Sequence, residues 1–224
     1  MLVSLLHLCD SLFPVGAFAY SDGLETATRR GAVADSAELG EWLDTCLDET
    51  IGRLEGPAAW QAWSAFVGES WDDLITLDAE LTSLRPSASS RRSSRAMGLR
   101  LLTTWQHLHP DRRLEEALAL AERRAFGPSF PIAFACACAR AGVDRRQTVE
   151  SLAYTRLAAT VSAAMRLMSI GQTDAHWRLT RTLGRVPDVV DAIRSRNGNI
   201  ESFTPALDIA LMTQQYLPSR LFRS

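Results

Sequence analysis

A chain of 224 residues with 46% hydrophobic and 22% charged residues is long enough to bury a core, and this balance argues against a disordered polymer or a membrane protein. Its net charge of −2 leaves no global field to recruit nucleic acid or an anionic membrane. All 24 basic residues are arginine, which excludes Schiff-base or lysine-nucleophile chemistry.

The opening "MLVSLLHLCD" lacks a basic leader and its apolar run stops at Asp10. Neither a signal peptide nor a membrane span is expected, and the cytoplasm is the expected compartment. Residues 13–25, "FPVGAFAYSDGLE", then break the helical pattern with two glycines, a proline and three aromatics. Ser21 is placed to cap a short helix beginning at Asp22, with Phe18 and Tyr20 near its entry. Gly23 inside that first turn costs about 1 kcal/mol relative to alanine, a cost explained if another backbone comes close.

Leu39, Trp42, Leu43, Cys46 and Leu47 form the stripe of a helix with one buried face. Ser70 and Asp73 have capping-box spacing ahead of Leu74, Leu77, Leu81 and Leu84. The low-complexity stretch "RPSASSRRSSR" covers residues 85–95. Asp111 opens a helix for which Gly127 is the expected C-cap, and Pro131 starts another that ends at glycine. The longest segment runs from Asp144 to Gly171, with Gln147 in the capping-box position and small residues from Ala153 to Ala164 that permit close helix contacts. Pro187 and Pro205 begin two more helices.

No segment alternates with period two, no repeat length recurs, and about ten helical segments emerge from periodicity and capping. The expected fold is all-α. It is a single irregular multi-helix bundle spanning residues 1–224, with the segment from Asp144 to Gly171 buried at its centre.

Few parts of a catalytic or metal centre are present. His107 and His109 point to different helix faces, and so do Cys136 and Cys138, so neither pair suits a metal. Cys9, Cys46, Cys136 and Cys138 show no framework spacing and read as buried, reduced thiols. No phosphate loop, HExxH or GxSxG motif occurs. Arg91, Arg92, Arg95 and Arg100 could grip phosphates, but no interleaved aromatics offer bases a platform. No catalytic, metal or cofactor residues are expected.

The end of the chain, "YLPSRLFRS", is a different matter. Pro218 stops the last helix, and residues 219–224 combine Leu221 and Phe222 with Arg220 and Arg223, residue types of interface hot spots. Such a tail either docks on its own body or serves as a docking tail for a partner. In the second case its removal disturbs partner binding more than folding.

With both ends in view, the chain resembles the UreF family of urease accessory proteins. The resemblance rests on "DSLFPVGAFAYSDGLE", on "RRSSRAMG" through Arg91, Ser94, Met97 and Gly98, on "LAYTRLAATVSAAMRLMSIGQTD" with its turn at Gly171 and Gln172, and on "TPALDIALMTQQY" with "SRLFRS". It implies an all-helical adaptor without catalysis of its own. Such an adaptor binds UreD (UreH in some organisms) and recruits the GTPase UreG, and together they deliver nickel to apo-urease. Homodimers are common in the family. The resemblance places partner-binding candidates at Phe18, Tyr20, Ser21, Gly23 and Glu25 in the first motif and at Arg220, Leu221, Phe222 and Arg223 in the tail. Three positions depart from the family pattern. Ser129 and Gln214 stand where relatives often carry histidine, and Ala135 stands where glycine is common. These losses weaken any handling of nickel through the protein's own histidines and leave the docking motifs intact. Two alternatives remain: a helical enzyme with a small-molecule pocket, and an RNA-binding protein using the arginines of 91–100.

Overall fold

The computed structural model describes residues 1–223, so Ser224, the last residue of the expected docking tail, lies outside the described residues. The helices are α1 (Leu2–Cys9), α2 (Leu24–Arg29), α3 (Ser36–Thr45), α4 (Gly56–Val67), α5 (Trp71–Ser83), α6 (Ala88–Leu108), α7 (Arg112–Glu122), α8 (Phe130–Arg140), α9 (Arg145–Leu167), α10 (Gln172–Leu183), α11 (Val186–Ser195) and α12 (Pro205–Thr213). A π-helical segment, Cys46–Glu55, joins α3 to α4, and 3-10 turns occur at Ala17–Ala19 and Gln214–Tyr216. Among the described residues there is no strand, and the fold is all-α as expected.

Pro57 accounts for part of the π segment. It has no N–H to return to the preceding turn, so the carbonyls of Gly52 and Arg53 need other donors. The connection after α11 supplies both: Arg196 Nη2 donates to Gly52 O at 2.9 Å, and the Glu201 amide donates to Arg53 O at 2.8 Å. A widened turn is thereby fastened to the C-terminal third of the chain.

Helix α8 is the buried hub. Every residue from Phe130 to Cys138 is buried, between α4 on one side and α6 on the other. Helix α9 packs on α4, α8, α10, α11 and α2, but it keeps one side at the surface, where Tyr154 is exposed. The expected central helix is thus correct for its neighbours, while complete burial falls to α8. The reason is composition: α8 carries no charge before Arg140, whereas α9 carries arginines along its length.

The stretch "RRSSRAMG" explains how α6 seats α8. Arg91 Nη1 donates to the carbonyls of Arg85 and Pro86, holding the turn that enters α6. Ser94 Oγ accepts the Phe130 amide at 3.0 Å, capping α8 from outside, and Met97 is buried. Gly98 lies so close to the preceding loop that a Cβ there would sit 1.9 Å from Pro128 O. The obstacle is backbone and cannot rotate away. Gly98→Ala is therefore expected to destabilise by about 1–3 kcal/mol, as overpacking does, measurable as a lower urea midpoint. An unchanged midpoint would mean the loop at Pro128 yields freely.

Several expected helix boundaries move. Asp111 and Asp144 cap α7 and α9 as expected, accepting the amides of Arg113 and Gln147. Ser70 makes no side-chain cap on α5; the two-way cap belongs instead to Asp35 and Glu38 at the start of α3. Gly127 does not end α7, which stops at Glu122 with Arg124 in the left-handed region. Gly127 donates its amide to the buried carboxylate of Asp78, which also holds the Ser129 amide at 2.9 Å. Helix α9 ends at Leu167, and Gly171 becomes the N-cap of α10.

Candidate functional site

The two ends of the chain meet. After the 3-10 turn at Ala17–Ala19, Asp22 and Gly23 adopt successive left-handed conformations, with φ of 49° and 85°, and α2 begins at Leu24, two residues later than expected. Ser21 Oγ still accepts an amide of the first turn, that of Glu25, at 3.4 Å. The close approach inferred for Gly23 exists: a Cβ there would lie 3.3 Å from the Leu211 backbone nitrogen and from Ala210 Cβ of α12.

Glu25 is wholly buried in the first turn of α2, and no arginine or histidine pairs with it among the described residues. Its charge is met by hydrogen-bond donors. The Leu221 amide donates to Oε1 at 2.6 Å, the Phe222 amide to Oε2 at 3.1 Å, and Gln214 Nε2 to Oε2 at 3.2 Å. Gln214 also reaches Ser21 Oγ at 3.3 Å. The Arg223 amide donates to Ala19 O at 2.9 Å, and Arg166 of α9 donates to Phe18 O at 2.9 Å while lying 4.4 Å over the Phe222 ring. The tail is a strap across the first motif, with Phe222 as its buried anchor at 3% exposure.

This arrangement divides the sequence candidates. Ser21, Gly23, Glu25 and Phe222 lie inside the protein, where they shape a surface without forming it. The strap itself is the reason: Glu25 needs the tail amides and Phe222 needs the core. Phe18, Leu221, Arg220 and Arg223 remain exposed, with Tyr20 half-buried. The structure adds neighbours that sequence reasoning missed, namely Tyr216, Phe203, Ile209 and Met212, all exposed. For Ile209 and Met212 a signal existed: α12 is short and polar only at Asp208 and Thr213, so it cannot bury all its apolar faces. Met1, Leu2, Val3, Leu6 and Leu12 form a further exposed apolar group at the N-terminus.

A buried polar cluster lies behind this region. A cavity of about 60 Å³ sits between the π segment, α6, α9 and α12, with Leu54, Leu84, Leu207 and Leu211 on its walls. That is room for a few waters. Glu55, 1% exposed, is clamped by Arg85 Nη2 at 2.6 Å and Arg156 Nε at 3.0 Å; Arg156 Nη2 also meets Asp22 at 3.0 Å. Burial works against the Arg156 charge, but Asp22 and Glu55 outweigh it and hold its pKa above the usual value. The charges of Asp22, Glu55, Arg85 and Arg156 answer one another, while Arg85 Nε finds no acceptor among the described residues. The thiols are equally unreactive: burial pushes Cys46 up to about 12 and raises Cys136 and Cys138 further, so all three stay protonated at neutral pH. His109 packs against Trp105, ring centroids 4.2 Å apart, and among the described residues no three His, Cys, Asp or Glu side chains converge as metal ligands.

A family model described as UreF matches residues 33–183. The urease accessory protein UreF of Methylibium petroleiphilum is 34% identical across 100% of this chain and 94% of its own length. That of Lachnoclostridium phytofermentans is 30% identical across 99% of this chain and 98% of its own length. The chain belongs to the UreF family. A protein named bifunctional urease accessory protein UreEF, from Bordetella bronchiseptica, matches this whole chain at 29% identity over 52% of its length. The UreF family model stops short of both ends that make the strap, whereas the full-length UreF relatives align through them.

The three departures from the UreF pattern have structural roles. Gln214 is buried and bonds Glu25 and Ser21; Ser129 is buried beside Asp78; Ala135 is buried within α8. None faces solvent.

Proposed function

We propose that this chain is a non-catalytic adaptor of urease maturation that binds UreD (UreH in some organisms) and recruits the GTPase UreG for nickel insertion into apo-urease. It works in the cytoplasm as one domain and forms a homodimer. Phe18, Tyr20, Arg220, Leu221 and Arg223 belong to its docking face, and nickel is cargo that its own side chains do not hold.

One observation carries this reading. The strapped ends of a UreF-family chain leave Phe18 and Leu221 exposed beside the contact between tail and first motif, and Ile209, Met212 and Tyr216 exposed on the segment that packs on α2. Exposed apolar side chains that gather in one region mark protein interfaces. The small-molecule alternative gains no support from a 60 Å³ cavity in which Glu55, Arg85 and Arg156 are already paired.

Co-expression with UreD and UreG supplies the test. The three chains should elute together from a sizing column, and apo-urease activated without this chain should retain little nickel. Elution of the chain apart from UreD, or full nickel loading in its absence, would remove the reading.

A further inference from the structure

The rim of the docking face carries a charge pattern that identifies the surface it fits. Two guanidiniums lie against the segment 16–19, and two more are carried by the tail whose backbone bonds that segment. Arg100 of α6 lies over Gly16, with Nη1 3.3 Å from where a Cβ would be. Arg166 of α9 is held by Phe18 O and the Phe222 ring. Arg220 and Arg223 flank Leu221 and Phe222 in the tail. All four are exposed, and none forms an ion pair with a carboxylate among the described residues. The segments 11–29 and 214–223 contain only two acids, Asp22 and Glu25. Both are committed inward, Asp22 to Arg156 and Glu25 to the tail amides.

A chain of net charge −2 thus presents locally unpaired cations beside the exposed apolar side chains of Phe18 and Leu221. We propose that this face selects a protein surface in which aspartates and glutamates ring an apolar hollow, the arginines setting register and rate while the aromatics supply contact area. This rests on the reading above that the face docks a protein. Carboxylates suit the rim because a guanidinium offers paired donors in one plane, and Arg166 is already fixed in orientation by its two contacts. An overall negative chain with only four such cations is a poor match for the dense charge of nucleic acid or an anionic bilayer. Charges at the edge of an interface act mainly on association rate and salt dependence, and screening at higher ionic strength weakens them.

The test uses immobilised UreD as probe, titrated with the full chain at 50 and 300 mM NaCl. Arg100→Glu is the key variant, because Arg100 is exposed on a helix and contributes no buried contact to the core. Arg194→Glu on α11, outside the face, is the control. Wild-type affinity should fall at least tenfold between the two salt concentrations. Arg100→Glu should bind at least tenfold more weakly at 50 mM with a flatter salt response, and Arg194→Glu should match wild type. Salt-independent binding, or wild-type affinity in Arg100→Glu with an unchanged circular dichroism spectrum, would overturn the acidic-rim assignment while leaving the adaptor reading intact. No binding of wild type to UreD would remove both. Parallel arms with a 20-nucleotide single-stranded RNA and with phosphatidylserine vesicles complete the test. Loss of binding in Arg100→Glu confined to either of those would also overturn the proposal.

Discussion

Glu25→Ala should lower the unfolding free energy by about 3 kcal/mol and release the tail. The carboxylate accepts three hydrogen bonds, and bonds to a charged group are each worth about 1.5–3 kcal/mol. The full sum is not lost, because the tail can leave its site and hydrate its amides. What it then forfeits is burial of Phe222, about 2–3 kcal/mol for a side chain of that size, and the cation–π contact with Arg166. A urea titration reads the stability. Limited trypsinolysis reads the tail: Arg220 and Arg223 are trypsin sites, and cleavage there should become fast in the variant and stay slow in wild type. Glu25→Gln, which keeps one acceptor and adds a donor facing the tail amides, should fall between. A wild-type midpoint together with a protected tail in Glu25→Ala would show that Phe222 alone holds the strap.

The same geometry revises what a deletion after Pro218 does. Taken as a free docking element, the tail could be removed at little cost to folding. As a strap it takes Phe222 out of the core and leaves Glu25 buried with Gln214 as its main donor. Stability and partner binding should therefore fall together. Arg220→Ala, which changes an exposed side chain and keeps the backbone donors, is the variant that separates the two effects.

Glu55→Ala should cost about 3–5 kcal/mol, the range for breaking a buried ion pair by removing one partner. Arg85 and Arg156 would be left as neighbouring buried cations with only Asp22 to answer Arg156. The damage would extend beyond one helix, because Glu55 ends the π segment, Arg85 leads into α6, Arg156 lies on α9 and Asp22 precedes α2. Because the pair is shielded from solvent, the loss should be nearly the same in 50 and 500 mM salt, unlike a surface pair. Paired Glu55→Leu and Arg85→Met substitutions should be milder than Glu55→Ala alone, since they remove a charge of each sign and leave Arg156 with Asp22. A loss below about 1 kcal/mol for Glu55→Ala would show that the cavity admits enough water to hydrate the arginines.

How far the sequence reaches depends on the range of the interaction. Asp111 and Asp144 cap their helices, and proline opens α8, α11 and α12, because these signals act between residues within four positions of one another. The all-α class follows from the same local periodicity. Gly23 was legible as a position of constraint, since a glycine in a helical context costs stability and needs a reason. Its partner Leu211 was not legible, nor was the approach of Pro128 to Gly98.

The candidate site was harder to read. The family resemblance and the residue types of the tail marked Phe18, Leu221 and Arg220 as contact candidates, and each is exposed. They marked Ser21, Glu25 and Phe222 alike, because a buried carboxylate and an exposed one are the same letter. Glu25 and Leu221 stand 196 positions apart, and backbone amides answer the carboxylate, so no complementary charge in the sequence announces the pair. Local chemistry therefore determined the helices, the turns and the two unusual ends. Only the tertiary structure decided that those ends bind each other, because burying Phe222 and satisfying Glu25 require a surface that exists once α2, α9 and α12 have packed.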